Sequence, residues 1–437
     1  MSFDFDAPLE RAGTWSTRWE RYAGRDVIPL WVADSDFRAP PCILEALQAR
    51  IEHGVFGYTS APEELREAIV ERLERLYRWR IEPSWIVFLP GVVPGLHLAA
   101  RKLLPPEGHA LIPTPVYQHF KRAVELAPRA YAELQLVLQD GRWVFDEDEI
   151  KRSIRRNTRL FFLCNPQNPG GTVFARSELE RIAELAPRAH TDLQLVLQHG
   201  RWVFDETAIK RSTQRNTKLF FLCNPQNPGG TVFTRNELER IAALTGDMVI
   251  VSDEIHCELV LERDLRHVPI ASLAPEISRR TVTLMSPNKA FNIPAAGCAW
   301  AIVENAALRQ AFSIEVAAHV LHSPSVFGYA AALAAYTGGD EWLAAQVDYL
   351  RANRDFLERE IDLPMAHVEA TYLAWIDCSS LGVADPHAHF LAHGVALSPG
   401  AQFGAPHFAR LNFGTQRARL RQALERIRSA SRPSPRG

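Results

Sequence analysis

Short apolar runs alternate along the chain with longer stretches whose apolar residues recur every three or four positions. The runs Val249-Ile250-Val251 and Leu284-Met285 are unbroken, the pattern of strands buried on both faces of a parallel sheet. Residues 86–96 read as strand, tight turn and helix, 111–117 as strand and loop, and 219–255 as a strand–helix–strand unit with its crossover helix over 236–244. The 3.6-residue period predicts helices over 41–53, 63–79, 307–320, 327–336 and 341–357. Two further strands are expected, at 372–377 and 408–414.

The same pattern reveals a repeat. Residues 126–184 recur as 185–243, with 47 of 59 positions identical, so that Asn165-Pro166-Gln167-Asn168-Pro169-Gly170-Gly171 equals Asn224-Pro225-Gln226-Asn227-Pro228-Gly229-Gly230. Two copies are too few for a solenoid, and a tandem duplication inside an otherwise ordinary chain is the better reading. The surplus copy forms an extra strand-and-helix appendage or damages the fold.

At 437 residues the chain exceeds one average domain, and 47% apolar against 23% charged residues is a globular balance. A net charge of −2 with mixed signs supplies no broad basic field for nucleic acid. No apolar run is long enough to span a bilayer. The acidic start, Met1-Ser2-Phe3-Asp4-Phe5-Asp6, lacks a leader's basic and apolar regions, so a cytoplasmic protein is expected. The six cysteines are scattered without metal spacing; reduced thiols and no metal site are expected. Residues 429–437, rich in Ser, Pro and Arg, read as a frayed tail.

Ligands of parallel sheets sit beyond the carboxyl ends of the strands. Val249-Ile250-Val251-Ser252-Asp253-Glu254-Ile255-His256 ends in acids, and Leu284-Met285-Ser286-Pro287-Asn288-Lys289 ends in Ser-x-x-Lys, so an acid and a lysine would face one crevice. Pyridoxal phosphate uses that pair: a lysine forms a Schiff base with its aldehyde, and a carboxylate keeps the ring nitrogen protonated.

With the Asn-Pro-Gly-Gly loop, these motifs closely resemble the aspartate aminotransferase superfamily. Trp31-Val32-Ala33-Asp34-Ser35-Asp36-Phe37 and Tyr372-Leu373-Ala374-Trp375-Ile376-Asp377 resemble its cystathionine β-lyase branch, of the MalY/PatB type. The resemblance runs from about Ile28 to Leu424. It implies an α/β protein of PLP-dependent transferase fold type I, with a mostly parallel seven-stranded sheet between helices and a smaller αβ domain. The implied divisions are 1–50, contributing to the small domain, 51–300 as the large domain, 301–430 as the small domain, and a tail at 431–437.

The resemblance also implies roles. Lys289 would be the catalytic lysine and Asp253 the partner of the ring nitrogen. Asn227 would bond the ring oxygen, and Ser286, Gly91, Val92 and Val93 would hold the phosphate. Tyr117 would stack on the ring, His256 would lie beside it, and Tyr58 would reach the phosphate of a neighbouring subunit in a homodimer. Arg410, a bidentate fork suited to a planar anion, would grip the substrate carboxylate beside Trp31 and Ala33. Asn168 stands as the alternative to Asn227: it has the family spacing from Tyr117, whereas Asn227 has it towards Asp253. Ala290 departs from the family, where threonine is common.

The implied reaction is carbon–sulfur β-elimination from an amino acid, with no nucleic-acid or membrane partner. Two alternatives share the same residues: an aminotransferase, and a PLP-binding or regulatory protein inactivated by the duplication.

Overall fold

The computed structural model describes residues 3–103, 109–114, 130–139, 142–145, 158–161, 195–198, 201–204, 219–228, 230–245, 249–317, 322–365, 367–403 and 406–431. Its centre is a mixed sheet of five strands. Strand β1 (Ile86–Leu89) is buried along its whole length. A two-residue turn then leads into helix α1 (Val92–Leu103). Gly95 in the first turn of α1 lets the helix approach the sheet: a Cβ there would lie 2.9 Å from Leu89 and 3.0 Å from Leu284.

Four more strands complete this sheet: β8 (Leu219–Cys223), β9 (Val249–Asp253), β10 (Thr281–Met285) and β11 (Ala299–Ile302), in the order β1-β11-β10-β9-β8. Strand β9 is parallel to both β8 and β10, while β11 runs antiparallel to both β10 and β1. The carboxyl ends of β1, β8, β9 and β10 therefore share one edge. The crossover helix α2 (Arg235–Thr245) starts where expected, because Thr234 and Glu237 cap it reciprocally: Glu237 Oε2 accepts the Thr234 N–H at 2.7 Å and Thr234 Oγ1 accepts the Glu237 N–H at 3.3 Å.

A second sheet comprises β2 (His109–Thr114), β3 (Ala130–Gln139), β4 (Arg142–Phe145) and β5 (Thr158–Phe161), in the order β4-β3-β2-β5. Strand β2 is parallel to both β3 and β5. The repeat declares itself here, because β3–β4 pairs Leu136 with Phe145 and Gln139 with Arg142, and β6 (Leu195–Gln198) pairs with β7 (Arg201–Phe204) in the same register, Leu195 with Phe204 and Gln198 with Arg201. The same sequence has made the same hairpin twice.

One seven-stranded sheet is expected, and in its place among the described residues stand one sheet of five strands and one of four. The duplication is the physical reason. β5 and β8 fall in corresponding parts of the two copies; β5 has paired with β2 and β8 with β9. If β5 and β8 were one strand, β3-β2-β8-β9-β10-β11-β1 would be a continuous sheet with six strands parallel and β11 reversed. Loop closure favours the observed choice, since each copy pairs with the fixed strand nearer to it in the chain.

The carboxyl-terminal region is built on β12 (Leu373–Asp377), β13 (Ser398–Pro399) and β14 (Phe408–Asn412) in the order β12-β14-β13. The chain start completes its core. Phe5, Ile28, Leu30, Phe37 and Ile43 share a buried cluster with Leu373, Ile376, Val395, Leu411 and Leu420, and Ile28–Pro29 pairs in parallel with Val395–Ala396. The helix over 41–53 is found at Pro41–His53, and that over 63–79 ends at Tyr77 because Arg78 turns left-handed. The helix after β14 runs Arg417–Ser431, so residues 429–431 are helical and not part of a frayed tail; Ala430 is buried on its inner face. Among the described residues, no helix is long and apolar enough to cross a membrane.

Candidate active site

The loops leaving the shared carboxyl edge gather the predicted residues. Beyond β8, the cis peptides Asn224-Pro225 and Asn227-Pro228 shape the loop that carries Asn227. Asp253 ends β9 with His256 beyond it, beyond β10 stand Ser286 and Lys289, and beyond β1 stand Gly91 and the first turn of α1. Arg410 reaches this edge from β14. Its NH1 donates to Asn227 Oδ1 at 3.3 Å, and its NH2 donates to Ser398 Oγ at 3.2 Å and to the Trp31 carbonyl at 3.1 Å. Asn227, from the second copy, is thus brought into the site. Asn168 and Tyr117 lie outside the described residues.

Residues 31–37 form an irregular, bent strap with no ladder partner of their own, so side chains meet their carbonyls. Asn412 Nδ2 donates to the carbonyls of Val32 and Asp34, at 2.5 and 2.6 Å. Asn292 Nδ2 holds those of Ser35 and Phe37, at 2.9 and 2.7 Å, while Asn292 Oδ1 accepts the Ser35 N–H at 3.0 Å. Gln416 donates to the Asp36 carbonyl at 2.7 Å. The Ala33 carbonyl accepts from the amine of Lys289 at 2.5 Å and from the Tyr372 hydroxyl at 3.0 Å. Under the strap, Asp36 is held by Arg11 at 2.9 Å, Arg419 at 3.2 Å and buried Arg18 at 3.3 Å, which keep its carboxyl ionised below its usual range against burial.

Burial dominates the electrostatics. It lowers the Lys289 amine to about 8, against an opposing pull from Asp34, with Arg410 adding to the lowering. It raises the Asp253 carboxyl to about 6, although the Ile255 N–H donates to Oδ1 at 3.2 Å. Burial and the cations of Lys289 and Arg410 lower His256 to about 3, so this imidazole is neutral; it stands edge-on to Tyr372, ring centroids 6.2 Å apart. Arg410 is lowered to about 10 by burial and remains a cation.

This donor set fits pyridoxal phosphate. Asp253 is a desolvated acid whose proton affinity would fall in contact with a pyridinium N–H. Asn227 spends its oxygen on Arg410 and keeps its NH2 group for a ring oxygen. Lys289 is a nucleophile poised near neutrality. The amides at the start of α1 suit an anion, where Val92 is buried and Val93 exposed. Ser286 fits less simply: its hydroxyl donates to the Cys298 carbonyl at 2.7 Å and accepts the Asn288 N–H at 3.1 Å, so it must rotate to give its proton to a phosphate. Tyr58 stands fully exposed beside exposed Val55 and Phe56, outside the cluster. Trp31 and Ala33 meet Arg410 and Lys289 through their backbone oxygens.

The Lys289 titration has a kinetic consequence. The reactive form is the free amine, whose fraction falls tenfold per unit below the pKa. Capture of pyridoxal phosphate by cofactor-free protein, followed by absorbance, should accelerate about tenfold per pH unit up to about 8 and then level off. An unshifted lysine would keep accelerating to beyond pH 10.

The chain belongs to the aminotransferase class I and II family, whose profile matches residues 25–193 and 203–427. It is 30% identical to the cystathionine beta-lyase PatB of Bacillus subtilis (strain 168), over 98% of this chain and 99% of that protein. It is 29% identical to the protein MalY of Escherichia coli (strain K12), with the same coverage of each. Among solved structures, OvoB is 39% identical with a TM-score of 0.67, covering 98% of this chain and 99% of that one. Cystalysin from Treponema denticola, which contains pyridoxal 5'-phosphate, is 25% identical with a TM-score of 0.72, again covering 98% and 99%. These neighbours share the expected α/β fold class.

Proposed function

We propose that this protein is a pyridoxal-phosphate-dependent carbon–sulfur β-lyase that acts on L-cystathionine or related cysteine S-conjugates. The observation that carries the proposal is the meeting of Lys289, Asp253, Asn227 and Arg410 at one sheet edge. Similarity to proteins named cystathionine beta-lyase supports the choice of reaction; the aspartate aminotransferase of Bacillus subtilis (strain 168) is less similar, at 24% identity.

The cofactor, when bound, supplies an electron sink that stabilises negative charge at the substrate Cα. Arg410 would bind the α-carboxylate in place of the Trp31 carbonyl and Ser398, fixing the Cα–H bond. Lys289 would hold the cofactor aldehyde carbon and, once released, take the Cα proton. Asp253 would keep the ring nitrogen protonated, and Asn227 would donate to the ring oxygen. Neutral His256 would pack beside them without adding charge. The Cα–H and Cβ–S bonds break, the sulfur leaves as thiolate, and with one water the products are a thiol, pyruvate and ammonium. We also assign phosphate contacts to Gly91, Val92, Val93 and Ser286, ring stacking to Tyr117, a partner-subunit phosphate contact in a homodimer to Tyr58, and a cytoplasmic location. The chain would divide into 1–50 with 301–430 as the small domain and 51–300 as the large one.

The test is incubation of the pyridoxal-phosphate-loaded protein with L-cystathionine. Pyruvate, thiol and ammonium in equal amounts, with no 2-oxo acid added, are expected. Turnover that requires a 2-oxo acid acceptor would replace this reading with an aminotransferase, and no turnover of either kind would refute both.

A further inference from the structure

Two donors converge on the Ala33 carbonyl, the amine of Lys289 and the hydroxyl of Tyr372. That carbonyl is unusually well fixed. The peptide oxygens on either side, those of Val32 and Asp34, both end on one atom, Asn412 Nδ2. Asn412 is itself buried and locked, its Oδ1 accepting the Gly414 N–H at 2.8 Å. Tyr372 is 1% exposed, and its hydroxyl has burial and the nearby Asp34 against ionisation, so it stays a neutral donor.

We propose that Tyr372 is a positioning residue for Lys289, acting through the Ala33 carbonyl that both of them bond. A free amine has two N–H donors and one lone pair. Holding one N–H on a fixed carbonyl aims the lone pair, which both attack on the cofactor aldehyde and removal of a Cα proton require. The Tyr372 hydroxyl keeps the carbonyl in place when Lys289 swings away and restores the acceptor when it returns. It also competes. Sharing the oxygen weakens its bond to the ammonium form of Lys289, and the hydroxyl dipole presents its positive end to that cation. Both effects favour the free amine. This role rests on the lysine-centred reading above and assigns that reading a residue outside its first contacts.

The test is Tyr372→Phe, which keeps the ring and, in the cofactor-free protein, leaves Ala33 with Lys289 as a donor. In cofactor-free protein, trace acetylation of Lys289 by acetic anhydride, quantified by peptide mass spectrometry against pH, reads the amine directly. The midpoint should lie near 8 in the wild type and rise by about half a unit in the variant, the size expected for one neutral hydrogen bond. In the loaded enzyme, kcat should fall about tenfold while KM holds, because Arg410 is untouched. Tyr329→Phe removes another buried tyrosine hydroxyl, from a ring that packs on Phe88 away from the strap, and should move neither quantity. A Tyr372→Phe protein with wild-type Tm and an unmoved acetylation midpoint would overturn the proposal. If wild type and variant both release no pyruvate, the lyase reading fails, and the acetylation midpoint still decides the role of Tyr372.

Discussion

Lys289→Ala is expected to abolish turnover, by at least about 10⁴-fold, while leaving the protein folded. Two losses combine. Without the amine nothing tethers the cofactor aldehyde, and without it no effective base stands at Cα, since His256, lowered to about 3, is too weakly basic and Asp253 would be committed to the ring nitrogen. Folding should survive because the lysine is a burden in the cofactor-free chain: burial, with Arg410 adding to it, drives its pKa from 10.5 to about 8, the signature of an ion paying for desolvation. After the substitution Ala33 keeps Tyr372 as a donor, so the strap loses no essential partner. Absorption spectroscopy should show cofactor bound without the visible band of its lysine-tethered form, pyruvate should fall to background, and the Tm should be unchanged or higher. Activity within tenfold of wild type would mean that another group removes the Cα proton.

Much of this arrangement is legible in the chain. Asp253 and Lys289 each follow an apolar run within a few residues, and parallel pairing of those runs brings both to one edge. The helix at 41–53 and the capped crossover at 235–245 follow from periodicity and from Thr234 with Glu237. The strap is less legible. Trp31–Phe37 is recognisable as a motif, yet it works through its backbone, and no periodicity announces a segment whose carbonyls are met by Asn292, Asn412 and Gln416, up to 380 residues away in sequence. Asn412 and Tyr372 could have been suspected as polar groups inside otherwise apolar strand patterns, because such positions stay polar only where a partner exists. The copies are identical over 160–171 and 219–230, so that stretch could not choose between them. The unbroken strand–helix–strand unit, with Thr234 as cap where the first copy has Ala175, favours Asn227, and pairing with β9 and contact with Arg410 agree.

Deletion of either repeat, residues 126–184 or residues 185–243, is expected to give a more stable protein with an intact site. Either deletion leaves one complete copy with natural junctions. In the full-length chain, β2 and β9 each engage their own copy of the strand, leaving the outer sides of β5 and β8 as edges without a ladder partner among the described residues. A single copy can pair with β2 on one side and β9 on the other, making the same two ladders with one strand ordered in place of two. Backbone ordering costs about 1–2 kcal/mol per residue, so the saving over a strand is several kcal/mol before the lost side-chain burial is subtracted, and a rise of roughly 5 °C in Tm is expected. Removing two open edges should also lower aggregation. Arg201 of the second copy bonds Glu369, Glu237 and the Val232 carbonyl, and the first copy carries Arg142 and Glu178 at the matching positions, but Ala175 in place of the capping Thr234. The two asparagines give the decisive readout. In the full chain Asn227→Ala should weaken pyridoxal phosphate binding about tenfold, as loss of one hydrogen bond to a charged ring requires, and Asn168→Ala should not. After removal of residues 185–243 the sensitivity should transfer to Asn168. If that chain instead loses both its fold and its cofactor, the copies are not interchangeable, and the second one alone is built for the site.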